Sequence, residues 1–84
     1  MTTVVMEYVH DAPLSDGALK EFVKELRTCL EVREIAWQRA YVSLDRKTLI
    51  CVYEARDASL VQRVHAMVGV PFARCHAMKV VPLD

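Results

Sequence analysis

Eight residues, Thr48–Ala55, constrain this chain more than any others. Leu49, Cys51, Tyr53 and Ala55 alternate along one side of an extended segment, and Ile50 and Val52 occupy the other. Both sides are therefore apolar, and a strand of that kind is not built to face water on either side. In a chain of 84 residues, burial by its own layers is marginal. A second copy of the chain is the expected cover. The hydrophobic share of 54% is above that of an ordinary soluble domain, yet no apolar run approaches the roughly 20 residues of a membrane-spanning helix. The surplus points to a protein interface, and a membrane partner is not expected.

Eleven basic and eleven acidic side chains cancel and are interspersed without a basic stripe, which argues against a nucleic-acid partner. The opening MTTVVMEYV has neither the basic start nor the small-residue cleavage pattern of a secretory signal, so a cytoplasmic location is expected. Cys29, Cys51 and Cys75 are odd in number and far apart, as reduced thiols packed as small apolar groups would be.

Thr2–Val9 is rich in β-branched residues and predicts a first strand, broken by Asp11-Ala12-Pro13. Ser15 is suited to cap a helix in which Leu19, Phe22, Val23, Leu26, Cys29 and Leu30 recur at helical spacing. Ile35–Ser43 and Thr48–Ala55 predict two strands joined by the polar loop Leu44–Lys47. Asp57 then caps a second helix whose apolar side is Leu60, Val61, Val64, Met67 and Val68, and Gly69 and Pro71 end it. Phe72–Val81 predicts a final strand. The order βαββαβ across a single domain, residues 1–84, is that of a ferredoxin-like α+β sandwich: a four-stranded antiparallel sheet with both helices on one face. The other face is left bare, and pairing two such faces makes a homodimer of the dimeric α/β barrel type. Which strand parity meets the helices is open at this point, because both parities are apolar.

The stretch from Trp37 through Tyr41-Val42, Asp45-Arg46-Lys47 and Cys51-Val52-Tyr53-Glu54-Ala55, continuing to His65, Gly69 and Pro71, resembles a small bacterial family typified by a nickel-binding-protein-like domain. Val5-Met6-Glu7 is similar to that family's first strand. The resemblance implies a ferredoxin-like fold, a dimeric barrel and a divalent metal of the nickel type as cofactor. Members commonly carry histidine two residues before the motif tyrosine, where this chain has Arg39. A guanidinium stays protonated and is no ordinary metal ligand, so Arg39 suits an anionic organic ligand instead.

Among single residues, His65 follows Val61 by one helical turn and is the candidate acid/base or metal ligand, since imidazole titrates near neutrality and binds nickel. Glu7 interrupts an apolar strand and needs a partner, for which Arg39, His65 and Lys79 are available; it is the second candidate metal ligand and a candidate base. Tyr53 and Cys51 share a strand face; Tyr53 joins His65 and Glu7 as a candidate catalytic residue, and Arg39, Tyr41, Cys51 and Trp37 are the candidate ligand-binding set. No Cys-x-x-Cys or His-x-x-x-His spacing of a closed zinc site is present, and Cys75 and His76 fall on opposite faces of a strand. The function expected is a small binding protein for a nickel-type metal or an organic ligand. The alternative is a cofactor-independent isomerase, cyclase or monooxygenase using His65, with Tyr53 or Tyr41 as donor; a purely structural module is the third reading.

Overall fold

A computed structural model describes all 84 residues. The chain runs β1 (Thr2–Val9), α1 (Asp16–Glu31), β2 (Ala36–Val42), β3 (Thr48–Ala55), α2 (Ala58–Val68) and β4 (Arg74–Met78). The four strands form one sheet in the order β2-β3-β1-β4, with every neighbouring pair antiparallel. This is the ferredoxin-like arrangement that the periodicities predict.

Local chemistry fixes the ends of the elements. The Ser15 hydroxyl accepts from Ala18 N at 3.1 Å to start α1, and the Asp57 carboxylate accepts from Leu60 N at 2.9 Å to start α2. That helix stops at Gly69, whose φ of 72° lies in the left-handed region where a Cβ is disfavoured. In the β2–β3 loop, Arg46 adopts φ 62° and donates through Nε to Leu14 O at 2.5 Å and through its terminal nitrogen to Asp16 at 2.7 Å. The hairpin is thereby tied to the entry of α1.

Two expectations need correction. The last strand ends at Met78, not Val81, because Met78 already pairs with Thr3 and β1 has almost no residues left to offer beyond it. Met67 is 61% exposed, and His65 takes the inward place instead. Successive helical residues turn by about 100°, so a core side made of Val61, Val64 and His65 sends Met67 outward.

The parity is also resolved. Val4, Met6 and Tyr8 of β1 and Leu49, Cys51, Tyr53 and Ala55 of β3 face the helices and are buried, closing the core with Leu26, Leu30, Val61 and Val64. Their alternates form the open face. Val5 and Glu7 of β1 and Ile50, Val52 and Glu54 of β3 lie there half-buried, in a sheet no other element covers.

Candidate functional site

Beneath the helices, three polar side chains are enclosed in the core. Tyr8, Tyr53 and His65 are respectively 1%, 0% and 0% exposed. His65 Nδ1 lies 2.8 Å from Val61 O, an acceptor only, so this nitrogen carries the hydrogen and Nε2 is left as the acceptor. The Tyr8 hydroxyl, 2.6 Å away, donates to Nε2, and the Tyr53 hydroxyl at 2.9 Å donates to Tyr8. Every imidazole nitrogen is thus partnered, which is the condition under which a buried polar group is tolerated.

Burial depresses the His65 pKa, offset in part by its bond to Val61 O, and the ring is neutral where it would otherwise begin to charge. Burial likewise raises both tyrosines far above their ordinary range and pushes the Cys51 thiol up to about 11. Aromatic rings fill the surrounding space: Phe72 meets His65 edge-on at 5.8 Å, Phe22 meets Tyr8 at 4.9 Å, and Trp37 tilts against Tyr53 at 5.3 Å. Of the candidate residues, Trp37, Cys51, Tyr53 and His65 lie together, as a packed core with a polar centre. Tyr8, which the sequence reading treats only as part of an apolar strand, is the hinge of the network.

Glu7 is elsewhere. It lies on the open face, on the far side of the sheet from His65, so one chain does not gather these two around one ion. Its carboxylate is 3.9 Å from Arg74, rather than paired with Arg39, His65 or Lys79. Register explains this: Glu7 sits directly opposite Arg74 across the β1–β4 ladder, whereas Arg39 lies two strands away beside Val52. No group of three or more His, Cys, Asp or Glu side chains converges as a metal site within the chain.

Arg39 and Tyr41 also belong to the open face, apart from Tyr53 and His65. A β-bulge between Trp37 and Arg39 inserts Gln38, so Trp37 keeps its place against Tyr53 in the core while Arg39 comes opposite Val52. The guanidinium donates to the Tyr41 hydroxyl at 3.4 Å. Beside them the Glu54 carboxylate accepts from Thr3 Oγ1 at 3.1 Å. A groove of about 500 Å³ runs between these groups, lined by Thr3, Gln38, Arg39, Tyr41, Val52, Glu54 and Val80. Nothing in the sequence marks the bulge, since no glycine or proline accompanies it.

The family model described as nickel responsive protein SCO4226-like matches residues 8–78. The chain belongs to the SCO4226-like family. The crystal structure of SCO4226 from Streptomyces coelicolor A3(2) superposes with a TM-score of 0.83 at 16% identity, over 95% of this chain and 99% of that one. At that identity the likeness establishes the shared ferredoxin-like fold. No curated protein matches the chain. In this SCO4226-like chain no helix is long and apolar enough to cross a membrane.

Proposed function

We propose that the protein is a small binding protein that works as a homodimer through its open sheet face and holds a nickel-type divalent cation between the two copies. The observation that carries this reading is the placement of Glu7 and His76 on that face. His76 pairs with Val5, two residues before Glu7, so the two are diagonal neighbours, a spacing of roughly 7–8 Å in antiparallel sheets. One chain supplies two donors. A two-fold axis through this part of the face supplies four, and an imidazole and carboxylate set suits nickel. The half-buried Val5, Ile50 and Val52 give the two sheets an apolar centre to close over, and the family description, nickel responsive, supports the choice of cation.

His65 is not given the ligand role, since both its nitrogens are engaged and its ring has no exposed surface. The same enclosure gives the enzyme alternative no support at His65. Thermal unfolding with and without excess Ni²⁺, read beside sedimentation, tests the proposal. Ni²⁺ is expected to raise the midpoint, by an amount equivalent to about 2.7 kcal/mol at a hundredfold excess over Kd. His76→Ala is expected to abolish the rise and His65→Ala to keep it on a less stable protein. An unresponsive midpoint, or a rise that survives His76→Ala, contradicts the reading.

A further inference from the structure

We infer that the open-face groove beside β2 is a second binding site, for a small zwitterion with a carboxylate at one end and an ammonium at the other. The inference rests on the homodimer reading for closure of the groove and goes beyond it in naming a ligand. The bulge at Gln38 is the first observation. Without the inserted residue the alternation of β2 would give Trp37 and Arg39 one common face; with it, the guanidinium stands on the open side while the indole stays in the core. Bulges re-aim side chains in this way, and they concentrate beside functional sites.

The second observation is that the charges lining the groove do not neutralise one another. Arg39 takes part in no ion pair, and its polar side-chain contact is the Tyr41 hydroxyl at 3.4 Å. Glu54, diagonal to Arg39 across the β2–β3 ladder, is held by Thr3 Oγ1 at 3.1 and 3.3 Å. The groove thus carries a cationic end, Arg39 with Tyr41, and an anionic end, Glu54 with Thr3. Between them the floor is Val52 and the margin is Val80, which is 78% exposed. Guanidinium and phenol together suit a carboxylate, presented as a planar pair of acceptors. A carboxylate already accepting one hydroxyl bond keeps further lone pairs for an ammonium. The volume of about 500 Å³ admits several methylenes between the two ends.

The experiment is a titration of the full chain, followed by backbone amide NMR shifts, with 4-aminobutyrate and 6-aminohexanoate as probes and succinate as the dianionic control. Sedimentation of the same samples gives the mass. The expected result is that an amino acid probe shifts the Thr3, Arg39, Val52 and Glu54 amides and binds at least tenfold more tightly than succinate. Arg39→Gln is expected to weaken it about tenfold, and Glu54→Gln to erase the preference over succinate. A dimer that shows no saturable shift, or an affinity untouched by Arg39→Gln, overturns the inference and leaves the homodimer standing. A monomer that binds the probe supports the site and overturns the homodimer; a monomer that binds nothing overturns both.

Discussion

The two faces of one sheet are made by the same strands and have opposite characters. Facing the helices, Tyr8, Tyr53 and His65 are fully enclosed, and each finds a partner among the others or in the α2 backbone. Facing away, Glu7, Arg39, Glu54 and His76 stand around an apolar strip of Val5, Ile50 and Val52, and their side-chain contacts are one long ion pair, Glu7 to Arg74, and two hydroxyl contacts, Glu54 to Thr3 and Arg39 to Tyr41. Chemistry usually associated with catalysis, a histidine within reach of two tyrosines, is on the side where these side chains have almost no exposed surface. The reachable donors are on the other side, and none of them completes a site alone. The covered face accounts for stability, and the bare one is the face on which the proposed recognition rests.

The strongest way to break that division is at His65. His65→Ala removes a buried ring and leaves the Tyr8 hydroxyl without its acceptor; the combined loss of packing and hydrogen bonding is expected to cost about 2–5 kcal/mol in urea unfolding. Tyr8→Phe deletes only the oxygen that links His65 to Tyr53 and is expected to cost about 1–3 kcal/mol. Neither change is expected to alter the response to Ni²⁺. A chain that tolerates both without loss of stability would place the network outside the folding core.

A pH titration sharpens the comparison further. Burial lowers the folded pKa of His65 below the value of about 6.5 that it has in an unfolded chain. The unfolded state therefore binds more protons as pH falls below that point, so the contribution of His65 is fully present above about pH 6.5 and is lost progressively as the pH falls toward the folded pKa. The thermal midpoint is expected to drop between pH 7 and 5 in the wild type, and His65→Gln to flatten that slope. Smaller effects follow outside the core. Asp57→Ala removes the cap of α2 and is expected to cost about 1 kcal/mol. Glu7→Gln dissolves a 3.9 Å pair to the exposed Arg74 and is expected to change stability by less than about 0.5 kcal/mol, while weakening the Ni²⁺ response.

Much of this architecture is legible in the sequence. Helical spacing from Leu19 to Leu30, the caps at Ser15 and Asp57, and the Gly69 stop give both helices, and alternation in Thr48–Ala55 gives the central strand. The parity of that strand is not legible, because Leu49 and Ile50 are equally apolar and only the register with β1 decides between them. The candidate site is legible as residue types and not as placement. His65 and Glu7 are both conspicuous, but whether they meet depends on which side of the sheet each occupies. Tyr8 passes unnoticed because a tyrosine in an apolar strand carries no signal of its own until the helix above it supplies His65. Arg39 is displaced by a bulge that leaves no mark in the local sequence.

The central claim, that the bare face is where a second copy binds, is tested most directly by sedimentation equilibrium of the wild type beside Val52→Asp. Val52 is half-buried at the middle of that face, on the opposite side of β3 from Cys51 and Tyr53, so the substitution leaves the helix-covered core in place. The account predicts a dimer of the 9.6 kDa chain for the wild type and a folded monomer for Val52→Asp. A wild type that remains monomeric at high concentration, or a Val52→Asp protein that remains dimeric, contradicts it.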